Sequence, residues 1–206
     1  MLTLWGRVNS INVQKVLWAL AETGVAYKRI EAGLQFGVNN MPEYLAMNPN
    51  GRVPTIDDDG LVLWESNVIV RYLAAKYAMG TLCPTEIGAR SRAERWMDWQ
   101  QSVINPELNP IFIQLIRTPE DKRDAAVIAA RAKALNAAMG ILDAHLSGKD
   151  FVNGAAFTMG DIPVGAAVCR WYRLPVERRP RPNVEAWQAR LKERKGFRDH
   201  VDQPLT

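Results

Sequence analysis

Residues 48–73 read N-P-N-G-R-V-P-T-I-D-D-D-G-L-V-L-W-E-S-N-V-I-V-R-Y-L. Two short apolar runs, Val53-Pro54-Thr55-Ile56 and Leu61-Val62-Leu63-Trp64, flank Asp57-Asp58-Asp59-Gly60. The Asp-Gly pair between such runs predicts a β-hairpin. Beyond Glu65-Ser66, the residues Ile69, Tyr72, Leu73 and Lys76 recur at helical spacing, so the hairpin feeds directly into a helix. Upstream, Leu2–Trp5 and Val25–Ile30 read as strands, separated by a helix with Val13, Val16, Leu17 and Leu20 on one face and Gly24 at its end. A loop with Gly33, Gly37, Asn39 and Asn40 leads to a short helix at Pro42–Met47. The resulting β-α-β-α-β-β-α order predicts a sheet covered by helices.

Everything after the hairpin and its helix changes character. Residues 79–86 read as a linker, and the remainder is helical in pattern. Trp96, Trp99 and Val103 mark one helix, with Pro106 and Pro110 disturbing its later turns. Thr118-Pro119-Glu120-Asp121 has the cap, first-turn proline and acids of a helix start. That start opens an alanine-rich helix with Ile128, Leu135 and Leu142 at heptad spacing, ending near Ser147-Gly148. Thr158-Met159-Gly160-Asp161 opens another, with Ile162, Gly165, Ala166 and Cys169 on one face, and a last helix covers about Pro182 to Lys195. The expected organisation is an α/β domain over 1–80, a linker at 81–86 and an all-α domain over 87–206.

Composition narrows the function classes. The 206 residues are 48% hydrophobic and 23% charged, as in a folded globular chain. No apolar run approaches the roughly 18–20 residues of a spanning helix, and the first residues lack a signal-peptide pattern, so a cytoplasmic protein without a membrane partner is expected. Cys83 and Cys169 form no C-x-x-C pair, and with only His145 and His200 besides, no metal centre is expected. The net charge is +4, but most basic residues alternate with acids, so a nucleic-acid partner is not expected. The dense cluster from Arg170 to Arg181 reads as a solvated connection between helices. A basic balance also suits a small anionic ligand.

Four motifs in this order and spacing resemble the cytosolic glutathione transferases along the whole chain: G-R-V-N-S-I-N-V-Q-K-V at 6–16, N-P-N-G-R-V-P-T-I at 48–56, W-E-S-N-V-I-V-R-Y-L at 64–73, and F-T-M-G-D-I at 157–162. The first looks most like bacterial theta-, beta- and nu-like relatives. The resemblance implies a thioredoxin-like N-terminal domain, an all-helical C-terminal domain, glutathione as co-substrate and a homodimer across a face that includes the helix after the hairpin and the start of the next helix. It also implies residue roles. Val53, before a cis Pro54, would pair its backbone with the extended tripeptide as an added strand, although only about 5–6% of X-Pro bonds in folded proteins are cis. Ser66 would take the γ-glutamyl carboxylate at a helix N-terminus and Glu65 its ammonium. Asn40 and Arg52 would reach the glycyl end. Thr158 and Asp161 match a capping box with a folding role.

The chemistry requires a thiolate, and a free thiol with a pKa of about 8.5 is mostly protonated at neutral pH. Lowering that value by about two units takes about 2.7 kcal/mol, within reach of one hydrogen bond to the anion plus a helix N-terminus. Ser10 occupies the position of the catalytic serine of theta-like relatives, and Asn12 that of an asparagine near the sulfur in nu-like ones; the plain alternative is that both only cap the helix. Trp5 stands where tyrosine-type relatives carry tyrosine. By analogy the electrophile pocket involves Arg7, Val8 and Phe112, with Arg7 suited to an anionic substrate such as a haloacid. The expected function is a glutathione transferase acting on a small electrophile. Alternatives are a glutathione-dependent disulfide reductase or peroxidase, and a non-catalytic binding protein of the same fold.

Overall fold

The computed structural model describes residues 1–206. Its N-terminal part is a four-stranded mixed sheet in the order β2-β1-β3-β4, formed by β1 (Leu2–Trp5), β2 (Tyr27–Ile30), β3 (Thr55–Asp58) and β4 (Leu61–Trp64). β1 runs parallel to β2 and antiparallel to β3. The parallel pair requires a crossover, which α1 (Ile11–Thr23) supplies before α2 (Pro42–Met47) and α3 (Ser66–Tyr77). The rest is helical, matching the expected α/β plus all-α architecture: α4 (Ile87–Trp99), α5 (Asn105–Phe112), α6 (Ala125–Leu146), α7 (Asp161–Arg173), α8 (Pro182–Lys192) and α9 (Lys195–His200).

Several local expectations shift. The hairpin strand begins at Thr55, after the proline that lacks a ladder donor, and not at Val53. The turn itself is Asp59-Gly60, both with positive φ (53° and 92°), as a two-residue type I′ turn demands. Asp58 therefore leaves the turn and becomes a buried strand residue, accepting hydrogen bonds from Tyr72 (2.8 Å), Lys76 (2.8 Å) and Tyr77 (2.5 Å). The linker is no loose tether, since Leu82 and Cys83 are buried and the Met159 N–H donates to the Leu82 carbonyl at 2.9 Å.

In the helical part, residues 87–117 form one continuous run. Wide π-type turns at Gln100–Ile104 and Ile113–Arg117 lie before and after the proline-bearing α5. Prolines 106 and 110 each remove an N–H from the ordinary i→i−4 ladder. The N–H of Asn105 instead reaches the Gln100 carbonyl, one residue further back. The alanine-rich helix starts at Ala125 and not at Thr118. Asp124 caps it, taking the N–H groups of Ala126 (2.9 Å) and Val127 (3.0 Å), while the Thr118 hydroxyl turns back to the Ile113 carbonyl. This α6, contrary to the expectation from composition, is long and apolar enough by length and hydropathy (mean 1.4 over its best window) to cross a bilayer. It packs against α5 and α8 with Leu135, Met139 and Leu142 buried. The last helix stops at Lys192, and α9 follows as a separate element.

α1 and α7 differ most from the one-sided pattern expected of them. Ile11 and every residue from Val13 to Leu20 are buried, and so is every residue from Asp161 to Trp171. α1 lies between α3 on one side and α7 and α9 on the other. Gly165 permits that approach: a Cβ there would lie 2.7 Å from a Leu191 methyl and 3.1 Å from the Trp18 ring. Cys169 is buried on α7, and burial first, then Asp202, pushes its thiol up to about 11.

Candidate active site

The chain leaves β1 at Trp5, turns through Gly6–Asn9 and enters α1 at Ser10. Ser10 has extended backbone angles (φ −87°, ψ 122°), as an N-cap does, yet its side chain caps no N–H of the helix. It is only 8% exposed. The capping alternative therefore does not describe the Ser10 hydroxyl. Two residues on, the Asn12 Oδ1 accepts a hydrogen bond from the Ser66 hydroxyl at 3.3 Å. That bond joins the start of α1 to the start of α3, and it places Asn12 against one of the residues expected to bind glutathione.

Around α3, Glu65 holds the N-cap position in the left-handed region (φ 70°), rare for a residue with a Cβ. Its carboxylate is exposed, whereas Ser66 is buried at the first turn. The free N–H groups of that turn and the helix dipole make this end a seat for an anion. The Val53-Pro54 bond is cis. Neither the N–H nor the C=O of Val53 takes part in a backbone hydrogen bond, so both are available to an extended peptide. A buried network that sequence reading missed fixes this loop. The Tyr44 hydroxyl donates to the Arg52 carbonyl at 2.6 Å and meets Thr55 Oγ1 at 2.8 Å, while Asn48 Nδ2 donates to the same two oxygens at 2.9 and 3.0 Å. Asn40 and the side chain of Arg52 are exposed on adjoining loops, which Asn39 Nδ2 ties together through the Asn40 Oδ1 (3.3 Å) and the Gly51 carbonyl (2.7 Å).

Beneath α3 lies a second residue that the pattern did not reveal. Lys15 is wholly buried, and its Nζ donates to Asn67 Oδ1 at 3.3 Å and Gln100 Oε1 at 3.0 Å. Asn67 Nδ2 in turn donates to the Met97 carbonyl at 2.8 Å. The ammonium has no carboxylate partner. Burial, with a smaller push from Arg170 and against the pull of Glu65, lowers its pKa to about 7. The only signal in the sequence was a lysine inside the apolar run V-Q-K-V-L-W.

Where the electrophile pocket was expected, arginines converge. Phe112 is buried, with the Arg170 guanidinium 4.1 Å and the Arg117 guanidinium 5.0 Å from its ring centre. Arg170 is 7% exposed, so the reading of the 170–181 cluster as a solvated connection fails at its first residue, which belongs to α7. It has no acidic partner, and burial, reinforced by Arg117 and Arg7, brings its pKa down to about 9. Arg7, lowered by burial and then by Arg117, passes beside Val53: a Cβ on Gly33 would lie 3.2 Å from its Nη1 and 3.5 Å from both Val53 methyls. Val8 is 52% exposed at the rim of this loop. Sequence reading named Arg7 and Phe112 but not Arg117 or Arg170, whose convergence depends on α5 folding back on α7.

Comparison with known proteins identifies the family. Family models for the glutathione S-transferase N-terminal and C-terminal domains match residues 1–75 and 91–195. The chain is 42% identical to the glutathione S-transferase GstB of Escherichia coli strain K12 over 208 aligned residues, covering all of both chains. It is 31% identical to glutathione S-transferase 3 of Zea mays over 97% of this chain and 93% of that one. Among solved structures, the theta class glutathione S-transferase of Xanthomonas axonopodis pv. citri with glutathione bound superposes with a TM-score of 0.96 at 46% identity, covering 100% of this chain and 99% of that chain. The chain belongs to the glutathione S-transferase family.

Proposed function

We propose that this protein is a glutathione transferase in which Ser10 activates the thiol for attack on a small, negatively charged electrophile. The observation that carries the reading is the Ser10 hydroxyl, nearly buried at the start of α1 yet not spent on capping it. The tripeptide lies extended along the N–H and C=O of Val53. Its γ-glutamyl carboxylate meets Ser66 and the free N–H groups of α3, its ammonium meets Glu65, and its glycyl end lies toward Asn40 and Arg52. Asn12 accepts the Ser66 hydroxyl hydrogen bond in the free protein, and the arriving carboxylate takes that donor over, so Asn12 holds the hydroxyl ready more directly than it serves the sulfur.

The thiol proton leaves to solvent as the Ser10 hydroxyl donates to the sulfur. The thiolate attacks the carbon that bears the leaving group, a C–S bond forms, and the leaving group departs with its electron pair. Arg7, Arg117 and Arg170 favour an electrophile that carries its own carboxylate, such as a haloacid, because they supply positive charge with no acid among them. A homodimer is the expected working form. Trp64, Val68 and Ile87, exposed along β4, α3 and α4 at 38%, 43% and 73%, supply an apolar face for it.

The decisive experiment is titration of glutathione into the wild type and Ser10→Ala by calorimetry, with the thiolate followed by ultraviolet absorbance. Binding should survive in the variant, the bound thiolate signal should vanish, and kcat/KM should fall by about 10- to 150-fold, the equivalent of one hydrogen bond to a charged group. A variant that still ionises the thiol would assign activation to another group.

A further inference from the structure

A lysine rarely lies wholly inside a protein unless a carboxylate neutralises it. Lys15 does so with two neutral amides as its only partners, Asn67 Oδ1 and Gln100 Oε1. Three N–H groups meet two acceptors, and on the other side the Gln100 Nε2 is buried without a partner. Asn67 is the residue after Ser66, in the first turn of α3. The lysine therefore sits under the helix end that receives the γ-glutamyl carboxylate, with the π-type turn at Gln100–Ile104 closing the cage from the helical domain. A cage needed only to join two domains would be served as well by an uncharged side chain.

We propose that Lys15 is a positioning residue for glutathione: its buried ammonium charges the floor beneath the α3 N-terminus and takes up a proton as the γ-glutamyl carboxylate arrives. This rests on the reading of Ser66 as the carboxylate seat. The charged groups facing Lys15 are few. α3 contributes Glu65, which favours the protonated amine, and α7 contributes Arg170, which opposes it. α4 and the following turn present the Met97 carbonyl and Gln100, both neutral, since Asp98 is turned to solvent and pairs with Arg71. Without ligand, burial and Arg170 leave the amine near half-protonation at neutral pH. An added carboxylate above it shifts the balance to the ammonium.

The sign follows from linkage. A group whose pKa rises on binding makes binding stronger at the pH where the complex keeps its proton and weaker as pH climbs. If the carboxylate raises the amine by about one unit, the affinity should fall about fivefold between about pH 6 and pH 8, with about half a proton taken up per site near pH 7.5.

The probe is S-methylglutathione, which keeps the carboxylates and the ammonium but has no thiol to ionise. Calorimetry of the full-length protein in two buffers of different ionisation heat counts the protons. Wild type should take up the half proton near pH 7.5 and nearly none at pH 5.5, where Lys15 is already charged. Lys15→Met should bind several-fold more weakly below pH 7, with a flat pH profile and no uptake. The wild-type count needs no variant to fold, so absence of uptake there overturns the role of Lys15. Uptake that persists in Lys15→Met overturns it as well. Failure of wild type to bind the probe at all would remove the glutathione seat itself, a result distinct from binding without uptake.

Discussion

Arg170 shows how a single side chain can change meaning with its surroundings. As a letter in R-W-Y-R-L-P it belongs to a basic segment; in the fold it lies against Phe112 with Arg117 on the same ring and Arg7 within electrostatic reach. Its role can be separated from that of the scaffold by paired substrates. Arg170→Met should lower kcat/KM for a haloacetate by about tenfold or more, the size of a lost charge-assisted contact, and change that for the matching haloacetamide by less than about twofold. Equal losses on both would mark Arg170 as a packing residue. The roles given to Ser10, Ser66 and Val53 came from the resemblance of their motifs, and local pattern showed only that each lies at a turn or helix start. Arg170 and Lys15 were not legible in the sequence, because their burial is decided by partners far along the chain; Gln100 is 85 residues from Lys15.

Helix starts and strand ends carry the next layer of information, and here competing caps decided the outcome. Thr118-Pro119 has every local mark of a helix start, but Asp124 captures two N–H groups and the helix begins there. At α7 the expected capping box is half formed. Asp161 accepts the Thr158 N–H at 2.9 Å, while no side chain at the N-cap itself bonds the helix. Asp161 does more than cap, since its other oxygen takes the Val152 N–H at 2.9 Å and the Trp187 indole at 3.0 Å. Asp161→Ala should therefore cost about 3–5 kcal/mol, well beyond the ~1 kcal/mol of an exposed cap, because buried donors are left unpaired. Chemical denaturation measures this directly. Burial moves this carboxyl up to about 6, so the wild type should lose stability from this group as pH rises from about 4 to 6, a slope absent in Asp161→Ala. Asp58 has the opposite sign. Burial alone would raise it, but Lys76, Tyr77 and Tyr72 hold it below the usual carboxylate value. Its contribution should be present at neutral pH and lost as pH falls below about 4. Asp58→Asn should then cost about 1–3 kcal/mol at pH 7 and much less in acid, as pH-dependent melts would show.

At the scale of the molecule, the order of strands and helices was readable because each element announces itself within a few residues. How tightly the two halves lock together was not, since it depends on α1 and α7 being covered on all sides. The proposed dimer face makes a prediction at this scale: Val68→Glu should convert dimers to monomers in sedimentation experiments, with only a small change in the melting temperature of the isolated subunit. A monomeric wild type would dismiss that face.

The packing around Trp18 makes the two halves interdependent. Its ring is seated against Phe197 and Phe157 and lies within reach of Gly165 and Gly196, so the helix of the sheet half is completed by residues about 140 to 180 positions further along the chain. Moved alone into another protein, residues 1–80 would be a sheet whose main helix keeps α3 but has lost α7 and α9. A substitution on α1 is therefore answerable to α7 and α9, and a change on either of those to α1.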